Sequence, residues 1–565
     1  MTMTFETQIL ESFEKIGKQP RGNQVAYINQ IVEAFLVKGK TNVVLSAPTG
    51  TGKSIIGAVV ADVVHTILEI ERCNSFILVG TNLLSKQYLE TFDGNRDYLM
   101  VKGSNNYPCA ALSTPEEPVF ADSCCERMMR KSTTSDLKAL AEKFCNKCEY
   151  SKLKKLKHIT DNVITNYSYF FIDRLFSAQH AYRSITVWDE AHTINDAFAE
   201  HCAIYVSEKR LASFSEEISQ NLKIADPKFY TPLATFREYL KHGTINDDNY
   251  LEKLKELHGF YTSVKELAAT QAESNKNDLK LYTKLNKISK KFGDLACKIG
   301  DLLFYDFEHI FEYIKEAKEV SVKPVFVGEM FNQLINSDFQ LFMSATVSDK
   351  LLIETLGLDP NTLEFIKLPP SFPVENKKLI FLNTEKLNYS TMKDEKVQAK
   401  LVKACQKIVT NHSSENESGI ILTPSFDVTR MIASGLIHID VKIFEHERGQ
   451  KLAEVVEDFK NYSGKSVLIS PSMFEGLSLD DDLSRYGIFV KAPFASLGEK
   501  RMKYIAEKHG HMYSLFTILK IIQGAGRSVR SESDYATTYC LDTQLSWLWK
   551  SPLNEWKSEF KVLYQ

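Results

Sequence analysis

Three things are scarce in these 565 residues. No uninterrupted apolar run reaches the roughly 18–20 residues that a membrane-spanning helix needs. The nearest, Ile55 to Ile70, is broken by Asp62, His65 and Glu69. Cysteine is sparse, ten in all, which excludes a disulfide scaffold. Net charge is nearly absent: 69 Lys and Arg against 72 Asp and Glu leave −3. That excludes a uniformly basic coat for nucleic acid, though not a local basic channel. The opening Met1-Thr2-Met3-Thr4-Phe5-Glu6 has neither the basic patch nor the apolar stretch of a secretory signal. A protein neither secreted nor in a membrane is therefore expected, in the cytoplasm or with the nucleoid or nucleus. There are no internal repeats or low-complexity tracts, and the length argues for three or four domains.

What is present begins at Asn42-Val43-Val44-Leu45-Ser46, which reads as a buried strand. Ala47-Pro48-Thr49-Gly50-Thr51-Gly52-Lys53-Ser54 follows, then a long apolar helical run. Strand, glycine-rich loop and helix in that order are the context of a P-loop. Small residues let backbone N–H groups converge on phosphates, and the helix N-terminus adds positive potential. Residues Ala47 to Ser54 are thus candidates to hold ATP, with Lys53 on the β- and γ-phosphates and Ser54 on Mg²⁺. Ala47 stands where the simplest consensus has glycine; a small side chain suffices. The loop's early position is expected to leave no room for an upstream domain. Ser184-Ile185-Thr186-Val187-Trp188-Asp189-Glu190-Ala191-His192 supplies the second half, an apolar strand ending in paired carboxylates. There Asp189 can hold Mg²⁺ while Glu190 orients and deprotonates the attacking water.

Together these segments resemble a superfamily 2 helicase of the DEAH type, and further motifs follow in that family's order. Thr81-Asn82-Leu83-Leu84-Ser85-Lys86-Gln87-Tyr88 resembles its first DNA-contacting motif, and Ser344-Ala345-Thr346 the motif coupling hydrolysis to domain movement. Ile421-Leu422-Thr423-Pro424-Ser425-Phe426 resembles the motif opening the second motor domain's nucleic-acid face. Phe474-Glu475-Gly476-Leu477-Ser478 resembles the motif that senses ATP and strand, and Gln523-Gly524-Ala525-Gly526-Arg527-Ser528-Val529-Arg530 the one that supplies arginine fingers. The resemblance implies strand contacts at Thr81, Asn82, Thr423 and Phe426, and nucleotide contacts at Gly476, His192 and Gln24, the last reading adenine. On a helix Gln523, Arg527 and Arg530 would share one face, and two guanidiniums suit the spread charge of a transferring phosphoryl group.

Five of the ten cysteines fall between Cys109 and Cys148. Without an export signal, clustered thiols point to metal rather than pairing. Four thiolates could hold a 4Fe–4S cluster or a tetrahedral zinc. Zinc ribbons present two short knuckles; here Cys145 and Cys148 form one, while Cys109 stands alone before Cys124 and Cys125. The spacing, inserted between the first DNA-contacting motif and the paired carboxylates, resembles the XPD/DinG family of iron–sulfur helicases. So do Cys148-Glu149-Tyr150 and a helix leading to an Asn166-Tyr167-Ser168-Tyr169 strand. That resemblance implies a 4Fe–4S cluster on Cys109, Cys145, Cys148 and either Cys124 or Cys125, whose adjacency leaves the choice open. From Glu126 to His158 ten Lys/Arg face four acids, a basic stretch fit to track phosphates.

The implied fold class is α/β: two RecA-like P-loop motor domains, with a small Fe–S cluster insertion and a helical Arch insertion in the first. Residues 1–102, 166–205 and 326–374 form motor domain 1, 103–165 the cluster domain, 206–325 the helical Arch, and 375–565 motor domain 2. In the Arch, Leu281, Leu285, Ile288, Phe292, Leu295, Ile299 and Leu302 recur at alternating 4 and 3 spacing, a seam expected to pack a helical hairpin. In motor domain 2, Lys378–Leu382, Gly419–Leu422, Ser466–Ile469 and Tyr486–Val490 read as strands. The implied activity is a monomeric, ATP-dependent DNA helicase on single-stranded and forked DNA, 5′→3′ by resemblance. A translocase that remodels without productive unwinding, or a motor on RNA or RNA–DNA hybrids, shares the same motifs.

Overall fold

The computed structural model describes residues 4–69, 74–92, 97–108, 148–176, 182–335, 337–370, 372–471, 481–526, 529 and 533–565. They divide into two compact units. One comprises Met1–Val44, Ser54–Met343 and Leu352–Phe365; the other comprises Leu45–Lys53, Ser344–Leu351 and Ile366–Gln565.

The strands come in chain order as β1 (Asn42–Ser46), β2 (Ser75–Val79), β3 (Tyr98–Met100), β4 (Asn162–Asn166) and β5 (Arg183–Asp189). Next are β6 (Ile204–Ser207), β7 (His309–Ile314), β8 (Glu319–Pro324), β9 (Ser337–Ser344) and β10 (Leu363–Lys367). A seven-stranded sheet forms in the order β10-β1-β9-β5-β2-β4-β3. β5 pairs in parallel with both β9 and β2, and β4 with both β2 and β3. Every residue of β1 and β5 is buried, as befits strands covered on both faces. The helix Lys53–Ile67 lies close against this sheet because of Gly57. A Cβ there would sit 2.8 Å from Met343 Cε and 2.9 Å from Val187 Cγ1.

The stretch expected to be a helical Arch contains helices Glu208–Asn221, Thr231–His242, Tyr250–Ser274 and Leu279–Phe304. The seam behaves as the spacing predicts. Leu285, Ile288, Phe292, Ile299 and Leu302 are buried, and Leu281 and Leu295 pack at the margin of one core shared with helix Tyr250–Ser274. Beside these helices, β6, β8 and β7 form a three-stranded antiparallel sheet in that order. Short strands supply too few residues for a clear alternation. Their pairing becomes visible only when Val320 and Val322 of β8 join the helical core.

A second seven-stranded sheet takes β11 (Lys377–Glu385), β12 (Gly419–Leu422), β13 (Lys442–Glu445), β14 (Ser466–Ser470), β15 (Tyr486–Phe489), β16 (Ala536–Asp542) and β17 (Lys561–Tyr564). Its order is β13-β14-β12-β15-β16-β11-β17, and all of these pairings are parallel. Four of these strands coincide with the expected ones to within a few residues at either end. One expectation is corrected. The Asn166-Tyr167-Ser168-Tyr169 segment is not a strand: Asn166 ends β4, and the helix Tyr167–Phe176 begins at once. Asn166 Oδ1 accepts the Tyr169 N–H at 2.7 Å, a helix-capping bond that outweighs the β preference of tyrosine. The helix bearing Gln523 runs Gly510–Ala525, and the expected shared face with Arg527 and Arg530 lies outside the described residues. Two glycines flanking Ala525 weaken the last turn.

Candidate nucleotide site

The loop after β1 is shaped by its glycines. Gly50 and Gly52 have φ of +87° and +77°, a left-handed conformation that side chains resist. A Cβ on Gly50 would also meet Phe372 Cζ at 2.5 Å. Thr51 Oγ1 donates to the Pro48 carbonyl at 2.8 Å, closing the turn. Lys53 Nζ reaches back toward the Ala47 carbonyl at 3.4 Å, a long bond that a phosphate oxygen would readily replace. Ala47 is fully buried, and its N–H donates to the Ser344 carbonyl at 2.9 Å. The methyl group therefore fits where consensus has glycine.

β5 delivers the carboxylates. Asp189 is 5% exposed and held at three atoms. Its Oδ2 accepts from the Tyr88 hydroxyl at 2.8 Å and its Oδ1 from the Glu190 N–H at 3.0 Å. Its carbonyl accepts from the Tyr167 hydroxyl. The Ser54 side chain also acts on the Tyr88 hydroxyl. One buried phenol therefore links the two residues expected to hold Mg²⁺. Burial, followed by the charge of Asp189, pushes the Tyr88 phenol well above its usual range, so it stays a proton donor. Tyr167 is shifted the same way by burial and the same carboxylate.

Glu190 adopts φ +56° and ψ +46°, rare for a residue with a side chain and costly by about 1–2 kcal/mol. Thr193 satisfies the Glu190 carbonyl through its N–H at 3.0 Å and its hydroxyl at 2.9 Å. The strained turn lifts the Glu190 carboxylate toward solvent, with its side chain 37% exposed and 3.4 Å from His192 Nδ1. Asp189 and Glu190 are adjacent in sequence but meet opposite surroundings. One is locked and buried; the other is accessible and positioned by strain.

The other expected site residues fall as follows. Gln24 is buried and its Oε1 accepts the Arg21 N–H at 2.9 Å. Thr81 caps the helix Asn82–Thr91, accepting from Leu84 N. Asn82 Oδ1 accepts from Asn166 Nδ2 at 2.6 Å, which ties the Thr81–Tyr88 segment to the Asn-Tyr-x-Tyr segment. Thr423 is buried, its hydroxyl 2.6 Å from that of Thr429. Phe426 opens the helix Phe426–Leu436 and stands edge-on to His446 at 5.2 Å. Gln523 Nε2 donates to Thr346 Oγ1 at 3.1 Å, joining the last motif to the Ser-Ala-Thr segment. Ser344 Oγ in turn accepts the Thr346 N–H at 3.2 Å. Cys148 is buried before the helix Glu149–Leu156. Cys109, Cys124, Cys125, Cys145, Gly476, Arg527 and Arg530 lie outside the described residues.

Sequence reasoning gave no role to Tyr88 or Tyr167. Tyr88 lies seven positions after Thr81, on the same helical face, a signal too weak to pick it out among 24 tyrosines.

The class follows from the two parallel sheets, the glycine loop after β1 and the carboxylates ending β5. This is the two-domain RecA-like α/β fold of helicases. Within that class the fold is that of the XPD helicases. A solved XPD helicase matches with a TM-score of 0.61 at 17% identity, over 97% of this chain and all of the other. The Xpd4 structure from S. tokodaii matches with a TM-score of 0.57 at 14% identity, over 96% of this chain and all of that one. The family model described as "Type III restriction enzyme, res subunit" matches residues 17–215, and "Helicase C-terminal domain" matches residues 408–559. A Methanocaldococcus jannaschii protein described as "Probable ATP-dependent helicase" is 22% identical over 605 residues, covering 90% of each chain.

Proposed function

We propose that this chain is an ATP-dependent DNA helicase of the XPD type, translocating 5′→3′ on single-stranded DNA and opening duplex at a fork. The observation that carries the reading is the Ser54–Tyr88–Asp189 linkage beside a P-loop built on left-handed glycines. A hydroxyl and a carboxylate held together by one protonated phenol are the donor set a hard cation prefers. The left-handed glycine loop and Lys53 suit a polyphosphate. Mg²⁺ held by Ser54 and Asp189 would neutralise phosphate charge. The chain's own residues do the rest. Lys53 binds the β- and γ-phosphates, and Glu190 takes the proton of the attacking water at its accessible carboxylate. Arg527 and Arg530 neutralise charge on the transferring group, and His192 with Ser344–Thr346 relays nucleotide state. Gln523, bonded to Thr346, supports that relay.

The domain boundaries at 102/103, 165/166, 205/206, 325/326 and 374/375, and strand contacts at Thr81, Asn82, Thr423 and Phe426, belong to the same reading. So do adenine recognition by Gln24, a nucleotide contact at Gly476 and a monomeric state. A cytoplasmic, nucleoid or nuclear location is also part of it; among the described residues no helix is long and apolar enough to cross a membrane. The five clustered cysteines support a 4Fe–4S cluster on Cys109, Cys145, Cys148 and one of Cys124 and Cys125.

The decisive experiment measures nucleic-acid-stimulated ATPase beside strand displacement on 5′- and 3′-tailed DNA and RNA duplexes, with iron and sulfide analysis of anaerobically purified protein. Stimulated ATPase with displacement of 5′-tailed DNA and about four irons per chain is expected. ATPase without displacement would favour the remodelling translocase, and preference for RNA would move the substrate class. A chain that hydrolyses no ATP with any nucleic acid would sink the proposal.

A further inference from the structure

Away from the nucleotide site, a cleft of about 400 Å³ opens between β6, the start of helix Glu208–Asn221 and one face of helix Leu279–Phe304. Arg210, Lys287, Lys290, Lys291 and Lys298 line it, against a single acid, Asp294. The four lysines recur on the helix at spacings of three, one and seven, which brings them to one side. Lys291 is partly neutralised by Glu217 at 2.6 Å. Lys298 donates its ammonium to the His201 carbonyl rather than to a carboxylate, and burial lowers its pKa. Burial raises the pKa of Asp294, while Lys290 and Lys298 act to lower it. Tyr205 and Tyr261 add aromatic wall, and the floor is aliphatic.

Arg210 and Lys291 lie over the Phe214 ring and Lys298 bonds a carbonyl, contacts that do not cancel positive charge, and like charges gathered around a concave space repel at close range. A ligand of opposite and multiple charge removes that cost. The volume lies within the range of small-molecule sites, and lysine ammoniums act as point charges for phosphate.

We propose that this cleft is a phosphate site separate from the nucleotide site, taking clustered phosphoryl groups. Two sources share that chemistry: a small polyphosphate, such as a free nucleoside triphosphate, or consecutive phosphodiesters of a strand.

The test uses the full chain carrying Lys53→Ala, so that the P-loop contributes little, with and without Lys287→Glu and Lys290→Glu. Both lysines are exposed, so the reversals should leave the fold intact; Lys287→Gln with Lys290→Gln is the milder pair. Inorganic tripolyphosphate is titrated calorimetrically, and a labelled twenty-nucleotide oligo-dT by anisotropy at several salt concentrations. Charge reversal at Lys403 and Lys407, exposed on another helix, controls for net charge. If a small polyphosphate is the source, tripolyphosphate affinity falls at least threefold in the cleft variants and not in the control. If a strand is the source, oligonucleotide affinity falls at least threefold, and the salt slope shrinks by about 1.4 for two lost phosphate contacts. Changes below threefold for both ligands, or an equal loss in the control, would overturn the proposal.

Discussion

Asp189 and Glu190 show how one dipeptide meets two environments. Asp189 is immobilised by Tyr88, Tyr167 and its neighbour's N–H, as a cation ligand should be. Tyr88→Phe removes the donor to Asp189 Oδ2 and the oxygen that faces Ser54, while keeping the ring. ATP turnover should fall about tenfold, the equivalent of one lost hydrogen bond to a charged group, and more Mg²⁺ should be needed for half-maximal rate. An unchanged Mg²⁺ dependence would show that Asp189 needs no such support. Glu190→Gln should bind ATP normally and hydrolyse it at least 100-fold more slowly; normal turnover would remove Glu190 as the base. Glu190→Gly should be equally inactive yet at least as stable in urea titration, since glycine accepts φ +56° without strain.

At the scale of elements, close approach does the positioning. Gly57 lets helix Lys53–Ile67 rest on β5 and β9, so the helix that begins with Lys53 and Ser54 is set by backbone-to-sheet distance. Gly57→Val should cost about 1–3 kcal/mol by overpacking against Met343 and Val187, read as a lower urea midpoint. In the insertion, Phe292 is fully buried, its ring 5.1 Å from that of Phe214 and 5.5 Å from that of Tyr261. Phe292→Ala should cost about 3–5 kcal/mol locally. Limited proteolysis within residues 206–325 should report it. ATPase without nucleic acid should be spared if the insertion folds as its own core.

For the whole molecule, acid stability carries a signature from His201. Burial lowers its pKa from 6.5 to about 4, so the unfolded chain binds a proton that the folded chain refuses between those values. The neutral form's contribution is therefore complete above about pH 6.5 and is lost as pH falls toward 4, by about 1–2 kcal/mol between pH 7 and 5. His201→Gln should flatten the dependence of unfolding free energy on pH in that window by a similar amount. An identical slope would show that His201 is as free to protonate when folded as when unfolded.

Much of this was legible in the amino-acid order, for a local reason. The strand with its glycine loop, and the strand ending in Asp-Glu, are each a contiguous stretch, and their periodicity and glycine placement follow from short-range sterics. The heptad seam of helix Leu279–Phe304 was readable for the same cause. Other features were hidden because they join distant parts of the chain. Tyr88 meets Asp189 across 101 positions, Asn82 meets Asn166 across 84, and Gln523 meets Thr346 across 177. The antiparallel sheet of the insertion and the basic cleft likewise need β6 and Arg210 brought beside lysines some 80 positions later. No local pattern encodes such pairs, because burial of the intervening core chooses which polar groups face each other and which of them water cannot satisfy.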